Sequence, residues 1–192
     1  ITCVKPSGNV SQLVDSSSGI HARHSKYYIR AVRVSKKDPI AKFMISKGFP
    51  CEDDITKPDS TTVFSFPIKA PKGCITRTDK TAIEQLELWM VYKEHYCDHN
   101  PSTTINIKEN EWLDVGSWVY KNFEKISGVA FLPFSEHCYQ QAPYQECEKE
   151  EYHKLLKVMP KEINWDKLNE FEITDNTEGS QQFSCMSGSC EV

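Results

Sequence analysis

The stretch from Thr103 to Pro133, TTINIKENEWLDVGSWVYKNFEKISGVAFLP, decides the fold class. Thr103 to Ile107 is rich in β-branched residues and reads as a short strand. Glu109, Glu111 and Asp114 then stand at the front of a helical segment and Lys121 and Lys125 near its end, the order that a helix dipole favours. Within it Trp112, Val115, Val119 and Phe123 recur at the spacing of one buried face, and Gly128 breaks the run. Val129 to Pro133 is almost wholly apolar, as expected of a strand covered on both faces. Strand, helix and strand in this order predict a parallel crossover of right-handed sense, and so an α/β sheet, closed as a barrel or open.

Working outward, Thr81 and Glu84 have capping-box spacing. Ile83, Leu86 and Met90, with Trp89 and Tyr92 beside them, predict a helix reaching about Cys97. Thr61 to Pro67 reads as a strand that the proline ends. Tyr27 to Val34 is a strand whose interleaved basic residues give it one solvated or ligand-facing side. Between these two, Asp38-Pro39 supplies an N-cap and a first-turn proline, Ile40, Phe43 and Met44 an apolar face, and Gly48 a stop. At the front, Ile1 to Val4 predicts a short strand, and Lys5-Pro-Ser-Gly-Asn-Val-Ser11 a turn leading into a helix marked by Val10, Leu13 and Val14. Glu148 to Met159 predicts a helix on Tyr152, Leu155, Leu156 and Met159 that Pro160 ends, with a short helical segment after Trp165. From Thr174 to Val192 there is no lysine or arginine and much Ser, Gly, Gln and Asn, which predicts a flexible tail (174–192) behind one body (1–173).

Composition narrows the function classes. The 192 residues are 39% hydrophobic, enough for one sizeable core. A net charge of −4, with basic residues scattered along the chain, argues against a dedicated nucleic-acid or anionic-membrane surface. No apolar run approaches the roughly 20 residues that span a bilayer, and the front lacks a signal-peptide layout; a soluble, cytoplasmic chain is the expectation. The eight cysteines are irregularly spaced in a chain long enough not to need staples, so they read as reduced thiols. Beginning at Ile1 directly before a loop motif, the chain reads as a fragment or processed product.

Two motifs carry chemistry. Cys185-Met-Ser-Gly-Ser-Cys190 is a dithiol on a small, pliable spacer, suited to thiol exchange in which one sulfur attacks a disulfide and its neighbour resolves the mixed product; the alternative is two incidental tail cysteines. Ser7, Gly8, Asn9, Val10 and Ser11 offer a turn glycine, hydroxyls and amides at a helix start, which suit a phosphate, although such turns also merely cap helices. The loop is not a P-loop, because its lysine precedes the glycine. His95, Cys97 and His99 alternate, but alternate residues at a helix end do not share a face, and no metal site is expected there or at His137-Cys138. Glu84, Glu87 and Glu94 read as a solvated helix face, and Tyr139 and Tyr144 as packing residues.

Five segments, taken in order, resemble the C-terminal part of adenosylcobalamin-dependent (class II) ribonucleotide reductases. They are Val4-Lys-Pro-Ser-Gly-Asn-Val-Ser-Gln-Leu13, Ser18-Gly-Ile-His-Ala-Arg23, Tyr27-Tyr-Ile-Arg-Ala-Val-Arg33, Gly128-Val-Ala-Phe-Leu-Pro133 and Gln141-Ala-Pro-Tyr144, and the terminal cysteine pair fits the same family. The resemblance implies an α/β fold forming the second half of a ten-stranded barrel. It also implies that Ser7 to Ser11 bind the substrate phosphates, and that Cys185 and Cys190 re-reduce an active-site disulfide before thioredoxin or a similar dithiol reduces them in turn. Adenosylcobalamin would be the cofactor, a ribonucleotide, preferably a triphosphate, the substrate, and the missing N-terminal part of the enzyme a partner. The radical cysteine would lie upstream, outside this chain. Phe131-Leu132 stands where oxygen-dependent enzymes carry a tyrosine pair, and a cysteine tail where anaerobic ones carry a glycyl-radical signature, so class II is the closest pattern. The competing reading is a stand-alone thiol-redox or phosphate-binding module.

Overall fold

A computed structural model describes residues 1–8, 10–134 and 139–173. Its elements run α1 (Val10–Leu13), β1 (Tyr27–Ser35), α2 (Pro39–Ser46), β2 (Cys51–Asp53), β3 (Thr61–Lys69), α3 (Ala82–His95), β4 (Thr104–Ile107), α4 (Trp112–Lys121), β5 (Ala130–Pro133), β6 (Tyr144–Glu146) and α5 (Lys149–Val158). The chain divides into two compact units, one from residues 1–26 and 70–134, the other from 27–69 and 139–173 of the described residues. No described helix is long and apolar enough to cross a membrane.

The first unit contains the predicted crossover. β4 and β5 pair in parallel, with Thr104 opposite Ala130 and Ile107 opposite Pro133, and α4 lies between them in the chain. α3 begins at Thr81, whose side chain accepts the Glu84 N–H while the Glu84 carboxylate takes the Thr81 N–H. From there Ala82 and Leu86 pack with Ile105, Ile107 and Val115, the α3, β4 and α4 contributions to one core. Glu111 joins the two helix starts, accepting the Ala82 N–H through one carboxylate oxygen (3.1 Å) and the Lys108 N–H through the other (2.8 Å).

Among the described residues no strand lies beside the outer edge of β4, yet its amides are satisfied. Gln85 accepts the Asn106 N–H (3.2 Å) and donates to the Asn106 carbonyl (3.3 Å), acting as a one-residue neighbouring strand. His21 Nε2 accepts the Thr104 N–H (3.1 Å) two residues earlier on the same edge. Buried backbone groups need such partners, and side chains here replace a strand.

The second unit is a four-stranded sheet in the order β2-β3-β1-β6, every pair antiparallel. α2 packs on it, capped by the Asp38 carboxylate on the Ile40 N–H (2.9 Å), and buries Ala41, Phe43 and Met44 against Phe49 and Phe64. The 3-10 turn Trp165–Glu170 brings Trp165 and Phe171 onto the Phe43 ring at 5.4 and 5.6 Å.

Four expectations are corrected. Ile1 to Val4 is not a strand of either sheet, although the Val4 carbonyl accepts the Ser102 N–H. Pro67 does not end β3, which runs on to Lys69; β2 pairs only with residues 62–64, so beside Pro67 that side of the strand carries no ladder to break. The predicted α4 helix divides into Trp112–Lys121 flanked by 3-10 turns, and of its expected apolar face only Val115 is buried. β5 is not covered on both faces: Phe131 is 39% exposed, and among the described residues β5 pairs only with β4.

One buried ion pair organises the second unit. The Arg33 Nε donates to Asp54 Oδ2 at 2.7 Å, with the side chains 10% and 3% exposed. The other oxygen of Asp54 accepts from the Thr56 hydroxyl (2.6 Å) and from the Thr56 and Lys57 amides (both 2.9 Å). Burial pushes the Asp54 carboxyl up, but the bonds from Thr56, Arg33 and the Lys57 amide outweigh it and hold it below its ordinary value. A folded value below the unfolded one adds stability that is present above the ordinary aspartate range and lost as pH falls through the folded value. Asp54→Ala is expected to cost about 3 kcal/mol, because it strands the Arg33 charge. In urea unfolding between pH 5 and pH 2.5, the gap between the unsubstituted chain and Asp54→Asn should narrow below about pH 4.

Candidate functional site

The residues expected to hold phosphate lie at the front of the first unit. The Val10 N–H donates to the Ser7 carbonyl (3.2 Å) and closes a tight turn in which Gly8 has φ +56°, a left-handed conformation that a side chain strains. The Ser11 hydroxyl, on the buried side of α1, donates back to the Gly8 carbonyl (3.3 Å). Ser7, Gly8, Val10 and Ser11 are thus brought onto one bend, and Asn9 lies outside the described residues.

A second loop, from Asp15 to Arg23, backs the first. Ser18 Oγ accepts the Ser7 N–H at 2.9 Å, and the Ser16 N–H donates to the Ser11 carbonyl at 2.8 Å. Gly19, at φ +59°, passes so close to the start of the chain that a Cβ there would sit 3.0 Å from the Lys5 carbonyl oxygen. Lys5 itself turns away and donates to Ser102 Oγ at 2.9 Å.

Since His21 Nε2 accepts an amide proton, the hydrogen-bond pattern assigns the ring proton to Nδ1, which donates to the Ser18 carbonyl at 2.8 Å. One imidazole therefore ties the backing loop to the β4 edge. Beside it is a cavity of about 370 Å³, lined by Gly19, His21, Cys74, Lys80, Gln85 and Asn106 among others.

The other candidates separate. Cys97 is buried while His95 and His99 are exposed, and no group of three His, Cys, Asp or Glu among the described residues could hold a metal. Glu84 caps α3, while exposed Glu87 and Glu94 receive Trp118 Nε1 (2.5 Å) and Lys125 Nζ (2.8 Å) from across the α4 side. The Tyr144 hydroxyl accepts from Arg30 at 2.7 Å, and the guanidinium lies 5.3 Å from the ring centre, a packing role with a polar end. Gln141, at φ +56° and buried, donates to Glu52 and to the Asp53 carbonyl, accepts the Ile55 N–H, and offers its own carbonyl to Arg33. Cys185, Cys190 and His137-Cys138 lie outside the described residues.

Sequence reasoning gave no role to Arg23, Asp15, Ser18 or His21. Their partners are backbone groups and side chains met only after the chain turns, so no spacing rule marks them. Asp15 alone carries a local sign, a non-glycine residue at φ +48°.

No protein-family profile matches the chain. It is 29% identical over 192 residues to the adenosylcobalamin-dependent ribonucleoside-triphosphate reductase of Euglena gracilis, an alignment covering 99% of this chain and 26% of that protein. A probable enzyme of the same kind from Dictyostelium discoideum is 29% identical over 197 residues, covering all of this chain and 25% of the relative. The Lactobacillus leichmannii reductase is 28% identical over 202 residues, again with the whole chain and 26% of the relative covered. A crystal structure of a B12-dependent (class II) ribonucleotide reductase superposes with a TM-score of 0.72 at 27% identity, covering 88% of this chain and 23% of that one. The resemblance drawn from the sequence motifs thus holds across the chain, which spans about a quarter of the length of the curated relatives it matches.

Among the described cysteines, reactivity is set by environment. Burial pushes the Cys147 thiol up to about 11, and Glu151, Glu146 and Glu148 push the same way, so at pH 8 it holds about a hundredth of the thiolate of an ordinary cysteine. Mass-spectrometric mapping of iodoacetamide labelling at pH 8 should find exposed Cys3 and Cys51 modified first and Cys147 at least tenfold slower.

Proposed function

We propose that this chain acts as the C-terminal part of an adenosylcobalamin-dependent ribonucleotide reductase that converts ribonucleoside triphosphates to 2′-deoxyribonucleotides in the cytoplasm. The observation that carries the proposal is the match of 99% or more of the chain to reductases of that name, joined to a 0.72 TM-score likeness to a class II structure. Within it, Ser7, Gly8, Asn9, Val10 and Ser11 hold the substrate phosphates. The left-handed turn at Gly8 and the hydroxyls that share its bend support this reading, since small residues let phosphate oxygens approach the backbone.

Adenosylcobalamin would supply the radical that starts the reaction. In this reading the radical cysteine lies in the upstream part of the enzyme, as the family resemblance implies, and this chain binds phosphate and regenerates the dithiol.

In the regeneration step, a thiolate from the Cys185 and Cys190 pair attacks the active-site disulfide left by turnover, and one active-site sulfur departs as a thiol. The second tail sulfur then attacks the mixed disulfide and releases the other. Two electrons and two protons pass to the active site, and the tail becomes a disulfide. Thioredoxin or a similar external dithiol reverses that oxidation.

The enzyme assembled with its upstream part should reduce CTP or ATP when adenosylcobalamin is added. No deoxynucleotide, or product formed only with an iron-radical subunit, would overturn the assignment. Cys185→Ser and Cys190→Ser should each preserve a first turnover and abolish repeated turnover with thioredoxin, while a small dithiol still supports it. Loss of the first turnover would reject the shuttle.

A further inference from the structure

Arg23 is placed by its backbone in one part of the first unit and by its side chain in another. Its N–H donates to the Ile75 carbonyl and its carbonyl accepts the Arg77 N–H, both at 2.9 Å, in an isolated parallel bridge with Thr76. The side chain is 4% exposed and reaches back to the second loop. There Nη2 donates to Asp15 Oδ1 at 2.6 Å and Nη1 to the Ser16 carbonyl at 2.7 Å. The buried Nε has no hydrogen-bond partner among the described residues.

This arrangement is costly. A buried guanidinium with an unmet N–H opposes folding, and its one anionic partner among the described residues, Asp15, is 62% exposed and strained at φ +48°. What the cost secures is geometry. Arg23 fixes Ser16, whose N–H holds the Ser11 carbonyl, and two residues later Ser18 holds the Ser7 N–H. One short segment therefore grips both ends of the Ser7 to Ser11 loop, and Arg23 anchors that segment to the 75–77 backbone.

We infer that Arg23 is a positioning residue, which locks the segment from Asp15 to Ser18 and so presets the Ser7 to Ser11 loop for phosphate oxygens. The inference rests on the phosphate-binding reading of that loop. A preset loop loses less conformational freedom when it binds, and its affinity is higher for that reason.

The test uses the 192-residue chain with nitrogen-15 labelling and inorganic tripolyphosphate as the probe. Tripolyphosphate should shift the Ser7, Gly8 and Ser11 amide signals. Arg23→Ala and Asp15→Ala should each weaken binding about tenfold and speed amide exchange at Ser7 and Ser16, while the Ile105 and Ile107 amides keep their protection. Asp15 is largely exposed, so its replacement tests the tether without opening a buried space. Asp15→Asn, whose amide oxygen still accepts from Nη2, should bind within about threefold of the unsubstituted chain. Unchanged binding and unchanged Ser7 and Ser16 exchange in both alanine variants would overturn the inference. So would loss of β4 protection in Asp15→Ala, which marks a general structural role. If the unsubstituted chain fails to bind tripolyphosphate, the phosphate reading falls, and the exchange rates alone decide whether Arg23 positions the loop.

Discussion

The Asp54 carboxylate holds the second unit together. It is buried, charged, and surrounded by donors from the 54–57 turn and from Arg33 of β1. The same guanidinium takes the Gln141 carbonyl, and Gln141 returns to Glu52, Asp53 and Ile55. A strand, the turn after its neighbour's partner and the loop before β6 are thereby fixed with respect to one another. Such a network is valuable only when complete, since any one missing partner leaves an ion stranded in a poorly polarisable interior. It also explains why Gln141 tolerates a left-handed backbone: three protein partners hold its side chain where the strain would otherwise relax.

Local signals in the sequence were legible wherever short-range chemistry decides the outcome. The Asp38 cap, the Thr81 and Glu84 box, and the β4-α4-β5 crossover all follow from residues a few positions apart. The antiparallel sheet was not legible. β1 meets β3 after an intervening helix and hairpin strand, and meets β6 more than a hundred residues later, distances at which no periodicity records the partner. The exposure of β5 is hidden from the sequence for a related reason. An apolar run states what a strand is compatible with, and the neighbours that cover it are specified elsewhere.

The candidate site shows the same division. Ser7, Gly8 and Ser11 announce a turn because each residue type has its own local reason to be there. The residues that hold the turn in place do not announce themselves. Ser18 acts as an acceptor, His21 as a bridge of fixed tautomer, and Arg23 as a tie between distant backbone segments, all from within the motif Ser18-Gly-Ile-His-Ala-Arg23. The physical content of that motif lies in the geometry of these contacts.

The sealed edge of β4 has a wider consequence. With Gln85 and His21 occupying the amides at 104 and 106, no incoming strand can dock there without first evicting both side chains. Among the described residues no strand covers the far edge of β5, so the small sheet is directional, with room to lengthen past β5 and not past β4. A molecule built this way has a polarity of growth written into one side-chain amide and one imidazole, which guard the β4 flank against mispairing.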